Sequence, residues 1–77
     1  MDQDRWMHPE RERQICIYRQ KPVRLQYYSR DPEGYVFCVR YAGNGHYYRE
    51  LDAAVAYMKR RKFMKKSETI TETEFLK

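Results

Sequence analysis

Two turn signals with a short apolar run between them constrain the fold of this chain more than any other feature. Segment 31–34 reads Asp-Pro-Glu-Gly, which places aspartate, proline and glycine where a type I turn favours them. Segment 42–45 reads Ala-Gly-Asn-Gly, in which glycine and asparagine can adopt positive φ. The run 35–41 between these turns alternates in strand fashion, so we predict a meander of antiparallel strands.

Alternation of side chains predicts further strands on both sides of these turns. Segment 14–19 alternates with Ile15 and Ile17 on one face, and we expect Pro22 to end it because proline lacks a ladder donor. Segments 23–30 and 46–49 complete the meander. The residues predicted to face the core are Val23, Leu25, Tyr27, Tyr35, Phe37, Val39 and Tyr41.

The period changes from that of a strand to that of a helix near Asp52. Leu51, Ala54, Val55 and Met58 recur at helical spacing and form one apolar stripe. We expect Asp52 to cap the helix, and cations in its last turns to complement the negative end of the helix dipole. Those cations are Lys59, Arg60, Arg61, Lys62, Lys65 and Lys66.

These elements predict an α+β fold, a small antiparallel β-meander of three or four strands packed on one C-terminal α-helix. We assign residues 14–66 to this single domain. Residues 1–13 are predicted to be a flexible N-terminal arm, in which Trp6 is expected to fold back on the edge of the core. Residues 67–77 are predicted to be a tail, either disordered or forming a late strand.

Length and composition limit what such a chain can do. A chain of 77 residues allows one small core, and 16 Lys and Arg against 11 Asp and Glu leave a formal charge of +5. That balance points to anionic or protein partners. We found neither a membrane-spanning run nor a secretory signal in the sequence, so we expect a cytoplasmic protein without membrane contact.

The sequence offers no set of residues that would carry catalysis or hold a metal. Cys16 and Cys38 lie 22 positions apart and lack the spacing of a zinc site. His8 and His46 have no acidic or nucleophilic partner at a meaningful spacing, and we expect His46 to be a solvated turn residue. We therefore expect a protein that is not an enzyme and that binds no cofactor or metal.

A single helix can cover only one face of the sheet, which makes the other face the candidate binding surface. Arginine and glutamine can read base edges bidentately, and neighbouring cations can neutralise phosphates. The residues predicted on this face are Arg24, Gln26, Tyr28, Arg30 and Arg40, with Tyr48 or Arg49 depending on the register of the last strand. Lys59, Arg60 and Lys62 are predicted to contact phosphate.

Residues 24–62 resemble a known family of DNA-binding domains. The segment "GYVFCVRYAGNGHYY" stands where that family has strand, turn and strand, and "ELDAAVAYMKRRK" stands where it has an acidic helix start and an alanine-rich face. The family is the three-stranded domain of lambda- and Tn916-type integrase N-terminal regions and of plant ethylene-response factors. The resemblance implies that the sheet enters the major groove, and by position it implicates Arg24, Gln26, Tyr28, Arg30 and Arg40.

Two functions follow from these observations. The first is a small DNA-binding module, a phage or mobile-element regulatory or accessory protein that places its sheet on double-stranded DNA. The alternative is a small protein-binding regulator or inhibitor of the phage-adaptor type, because eight Tyr, Trp6 and four Met suit interface anchors. The helix could also pair with its copy, which leaves a homodimer open.

Overall fold

Four strands in consecutive order form one antiparallel sheet, and two helices follow them. The computed structural model describes residues 8–77. Its elements are β1 (Arg11–Tyr18), β2 (Lys21–Tyr27), β3 (Phe37–Tyr41), β4 (Asn44–Tyr48), α1 (Leu51–Arg60) and α2 (Glu72–Phe75). The strands lie in the order β1-β2-β3-β4. The predicted α+β fold class, a β-meander packed on one main helix, is confirmed, while the expectation for Trp6 lies outside the described residues.

Both tight hairpins use two-residue loops whose backbone has positive φ. Arg19 and Gln20 connect β1 to β2 with φ of 50° and 72°. Ala42 and Gly43 connect β3 to β4 with φ of 52° and 83°. Positive φ at both central positions is typical of a type I′ turn, which follows the natural twist of paired strands. The predicted turn at 42–45 is therefore confirmed, although its loop is shorter than expected and β4 already begins at Asn44.

The turn between β2 and β3 forms where the sequence predicts it. The Gly34 N–H donates to the Asp31 carbonyl at 3.1 Å, which closes a β-turn. The Asp31 carboxylate also accepts from the backbone N–H groups of Glu33 at 3.0 Å and Tyr35 at 2.8 Å. The aspartate thus stabilises the turn through its side chain, as its position in the sequence indicates.

The first strand is longer than predicted and contains a bulge. It begins at Arg11, so residues 11–13 of the predicted arm belong to the sheet. The pairing with β2 shifts between Gln14 and Cys16, which places Cys16 opposite Val23 and Ile17 opposite Pro22. Cys16 and Tyr18 consequently face the helix.

The two isoleucines of β1 do not share a face, contrary to the prediction. Ile15 lies at the bulge and packs against the core, whereas Ile17 points to the other side and is 66% exposed. The first strand ends at Tyr18, before Pro22 as predicted, but Pro22 itself lies inside β2. The sheet tolerates this proline because the β2–β3 ladder starts one residue later, at Val23 opposite Tyr41.

The core lies between one face of the sheet and α1. Val23, Leu25 and Val39 are fully buried, as are Ala54 and Met58 of the helix. The helical stripe predicted from the sequence is confirmed, since Leu51 and Val55 are buried as well, and Tyr57 joins it. Phe37 is buried in the predicted core face, and Tyr27 and Tyr41 pack against the core. Tyr35 is an exception, because it precedes β3 and is 36% exposed.

The N-cap of α1 differs from the prediction, whereas Lys59 and Arg60 lie in its last turn as expected, although the helix ends before the other predicted cations. The N-cap is Glu50, which makes no side-chain capping bond, and Asp52 lies within the first turn. At the other end, the Phe63 N–H donates to the Met58 carbonyl at 2.8 Å and the Lys62 N–H to the Lys59 carbonyl at 3.0 Å. This pattern is a Schellman motif, in which Lys62 takes the left-handed conformation with φ of 66°.

The C-terminal segment is part of the fold and forms no late strand. Helix α2 begins with a capping box, in which the Glu74 N–H donates to Thr71 Oγ1 at 3.2 Å and the Thr71 N–H to Glu74 Oε1 at 3.2 Å. Ile70 and Phe75 are buried, and the Phe75 ring lies 6.3 Å from that of Phe37. The structured domain thus extends beyond residue 66. None of the helices in residues 8–77 has the length and apolar composition needed to span a bilayer.

We expect Phe75→Ala to lower the free energy of unfolding by about 3 kcal/mol, because it removes a buried ring and leaves a cavity against Phe37. Urea unfolding followed by circular dichroism measures this change. Thr73→Ala, at an exposed position of the same helix, serves as the control and should leave stability nearly unchanged. Equal stability of the two variants would show that the tail does not belong to the core.

Candidate functional site

The face of the sheet that points away from α1 carries a row of polar side chains, and we call it the outer face. Strand register places Glu12 beside Gln26, Gln26 beside Cys38, and Cys38 beside Tyr47. A second row crosses the sheet through Gln14, Arg24, Arg40 and Gly45. Both helices that the structure describes lie on the opposite side, where Phe75 and the α1 stripe join the core.

The structure brings only part of the predicted site to this face. Arg24, Gln26, Tyr28 and Arg40 lie on it as expected, but Gln26 and Tyr28 are buried, with 7% and 2% of their surfaces exposed. Both were predicted to be exposed. Their polar groups bond to neighbouring side chains on the same face and are therefore withdrawn from solvent.

Tyr48 lies on the helix side, because β4 pairs it with Phe37. The sequence predicted either Tyr48 or Arg49 on the outer face. In the structure Tyr47 occupies that position, because β4 pairs it with Cys38. The short hairpin loop sets this register, and a shift of one residue exchanges the two faces. A two-residue loop at 42–43 pairs Tyr41 with Asn44, and continuing this register along the strands would have identified Tyr47.

The remaining predicted residues lie around the sheet and not on the outer face. Arg30 is exposed in the loop after β2, and Arg49 is exposed after β4, where its guanidinium lies 4.4 Å from the centre of the Tyr35 ring. Lys59, Arg60 and Lys62 lie at the end of α1, which packs on the other side of the sheet.

The Gln26 side chain is the centre of a hydrogen-bonded network on the outer face. Its amide nitrogen donates to the Glu12 carboxylate at 2.5 Å. Its amide oxygen accepts from the Tyr28 hydroxyl at 2.8 Å and from Arg40 Nε at 3.4 Å. Because both ends of this amide are bonded within the protein, Gln26 orients its neighbours and does not act as a free reader of bases.

Arg40 is held in place by this network and by the next strand. Its Nη2 donates to the Tyr47 hydroxyl at 2.8 Å, and its guanidinium lies 5.9 Å from the centre of the Tyr47 ring. The side chain passes over Gly45, where an added Cβ would lie 3.0 Å from Arg40 Cζ and 3.1 Å from Cys38 Sγ. Glycine at this position therefore leaves room for the arginine.

Burial keeps the uncharged groups of the network protonated. It raises the pKa of the Tyr28 and Tyr47 hydroxyls and of the Cys38 thiol above their ordinary values. Cys38 is fully buried and so has the character of a small apolar residue. The formal charges of the outer face consequently come from Glu12, Arg24 and Arg40.

Arg24 and Arg40 are direct partners across the β2–β3 ladder. Like charges directly opposite each other on one sheet face destabilise the pair. Arg24 is half-buried, and within residues 8–77 its side chain forms no hydrogen bond and no ion pair. The outer face thus presents one arginine that is already oriented by Gln26 and Tyr47, beside another that no residue in this range neutralises. An anion bound between them would relieve the repulsion.

Residues 8–77 contain no group of three or more His, Cys, Asp or Glu side chains arranged to hold a metal ion. His46 is exposed in β4 on the helix side, where its ring stacks on that of Tyr57 at 4.6 Å.

We expect Gly45→Ala to destabilise the protein by about 1–3 kcal/mol, because the new methyl group would displace the Arg40 guanidinium or Cys38. Urea unfolding of four proteins, the wild type, Gly45→Ala, Arg40→Ala and the double variant, forms a double-mutant cycle. In the Arg40→Ala background, Gly45→Ala should lower the free energy of unfolding by less than it does in the wild type. An unchanged cost would mean that Arg40 does not require this glycine.

We expect the free energy of unfolding to fall as the pH rises above about 8.5 and further above about 10, the ordinary pKa values of cysteine and tyrosine. The buried groups have raised pKa values, so the unfolded chain loses these protons at lower pH than the folded protein. Urea unfolding between neutral and alkaline pH measures the slope. Tyr28→Phe should make the slope shallower near the upper end, and an identical slope would contradict the assignment.

Comparison with protein-family models, with curated proteins and with solved structures found no match for this chain. The resemblance to the integrase and ethylene-response domains therefore stays a prediction from the sequence.

Proposed function

We propose that this protein is a small, non-enzymatic DNA-binding module that places the outer face of its sheet on duplex DNA. The observation that carries the proposal is the Arg24–Arg40 pair, two cations directly opposite each other on the sheet face away from the helix. Such a pair reduces the stability of the sheet in isolation and becomes favourable beside an anion. A net charge of +5 adds a sequence-independent attraction to DNA.

In this proposal the outer face lies against the major groove of DNA, which is about 12 Å wide and admits β-structure. Arg24 and Arg40 lie on β2 and β3, the two central strands of the sheet, so both guanidinium groups would lie at the middle of the contact. Arg40 is oriented before binding by Gln26 and Tyr47, which reduces the entropy that it would lose on contact with a base edge or a phosphate.

The other residues take supporting roles in this proposal. Gln26 and Tyr28 position Arg40, while Arg30 and Arg49 lie at the margins of the sheet, where DNA phosphates would pass. Lys59, Arg60 and Lys62 raise the positive potential from the other side of the sheet. A phage or mobile-element setting and a cytoplasmic location belong to the same proposal.

We expect Arg24→Gln to weaken duplex binding by about 1–3 kcal/mol if Arg24 contacts a base, or to reduce the salt slope by about 1 if it contacts a phosphate. Fluorescence anisotropy of a labelled duplex, titrated at low and near-physiological salt, distinguishes these outcomes. The Arg24 side chain forms no hydrogen bond or ion pair within residues 8–77, so this substitution should leave the fold intact.

Lys77→Gln is the matched control, because it removes the same charge from an exposed position at the C-terminus. Equal duplex affinity of Arg24→Gln and Lys77→Gln would overturn the assignment of the outer face. A single-stranded oligonucleotide of the same sequence tests whether duplex geometry matters. Absence of duplex binding at low salt would reject the proposal and favour the protein-binding alternative.

A further inference from the structure

A second surface follows the free edge of the sheet along β1. Within residues 8–77, β1 pairs only with β2 and is therefore an edge strand. A groove of about 660 Å³ lies between residues 15–18 of β1 and the segment after α1. A smaller groove of about 270 Å³ shares Ile15, Phe63, Met64 and Glu68 with it and extends to Arg13. Together these two grooves, which we call the edge groove, follow residues 13–18 of β1, which correspond to about 20 Å of extended chain.

The floor of this edge groove is apolar. Phe63 and Met64 are buried beneath it, and the Phe63 ring packs edge-on against Tyr18 at 5.1 Å. Ile17 is the one large aliphatic side chain in residues 8–77 that is mainly exposed, at 66%. The bulge between Gln14 and Cys16 shifts the alternation of β1 by one residue and so turns the Ile17 side chain to the side of the strand away from the core.

The rim of the edge groove is strongly positive. The cations that line the larger groove are Lys59, Lys62, Lys65 and Lys66, and Arg13 lines the smaller one, against one carboxylate, Glu68. Within residues 8–77 none of these four ammonium groups forms a hydrogen bond or an ion pair. Glu68 accepts a hydrogen bond from the Lys65 backbone N–H at 2.8 Å, so the rim already holds one carboxylate of the chain itself.

We propose that the edge groove binds an extended acidic peptide of a partner protein, with its carboxylates toward the lysine rim on the helix side and its apolar side chains toward Ile17 on the opposite side of β1. Alternate side chains of an extended peptide point to opposite sides, so a sequence that alternates acidic and apolar residues matches both surfaces. The positive rim of the groove favours an acidic partner. The exposed Ile17 favours a peptide over a nucleic acid, because a nucleic acid would interact with the lysines but has no aliphatic side chain to pack on Ile17. The inference does not rest on DNA binding by the outer face.

The test uses a short fluorescein-labelled peptide that alternates glutamate with valine, titrated with the full chain and followed by anisotropy. Two control peptides replace glutamate by glutamine or valine by serine. We expect both controls to bind at least roughly tenfold more weakly, since each removes one of the two complementary features. Equal binding by either control peptide, or no binding of the acidic peptide at low salt, would overturn the proposal.

Two protein variants locate the site without risking the fold. Lys62→Gly removes a rim cation at a position whose positive φ favours glycine, so its stability should be kept or increased. Ile17→Thr removes the exposed apolar group and retains a β-branched residue in the strand. We expect each to weaken peptide binding by roughly tenfold.

Arg24→Gln and Lys77→Gln should bind the peptide as the wild type does, because neither residue lines the groove. Conversely, Ile17→Thr should bind duplex DNA normally. If Ile17→Thr bound the peptide as tightly as the wild type, the lysines would be a general anion patch and the peptide site would be rejected. Failure of DNA binding alone would leave this result unaffected, so the two proposals fail separately.

Discussion

The antiparallel pairing of β2 with β3 supports both the core and the outer face of this protein. Val23, Leu25 and Val39 leave these strands toward α1 and are fully buried, whereas Arg24 and Arg40 leave them toward the other side. A slip of one residue would put arginine in the core and valine in solvent. Burial of these apolar side chains therefore fixes the register that places Arg24 directly opposite Arg40. It offsets the repulsion between the two like charges.

The outer face shows how a polar network gives a charged side chain a fixed direction. Gln26 bonds to Glu12, Tyr28 and Arg40 at once, and Tyr47 holds the far end of the guanidinium. Gly45 makes this possible, because any larger residue would occupy the volume that Arg40 and Cys38 share. In such a network Gln26 and Tyr28 fix the direction of Arg40, while the Arg24 side chain forms no hydrogen bond or ion pair within residues 8–77.

The edge groove owes its character to an irregularity of β1. The bulge between Gln14 and Cys16 turns Cys16 and Tyr18 toward the core and Ile17 outward. The Schellman motif at the end of α1 then returns Phe63 to the core and leaves Lys62 exposed at the rim. Cations therefore accumulate beside an apolar edge, whereas the outer face combines cations with polar groups. The two surfaces consequently suit anions of different chemistry.

Features that depend on neighbouring residues could be predicted from the sequence alone. They are the turn at 31–34, the alternation of β2 and β3, and the stripe of α1, which follow from backbone preferences and from side-chain period. Of the candidate site, Arg24 and Arg40 were placed correctly because their position depends on local alternation. Local patterns did not predict the bulge in β1, the register that puts Tyr47 and not Tyr48 on the outer face, the burial of Gln26 and Tyr28, or the packing of Phe75. These features depend on contacts between residues far apart in the chain. The energies of such contacts cannot be inferred from the order of neighbouring residues.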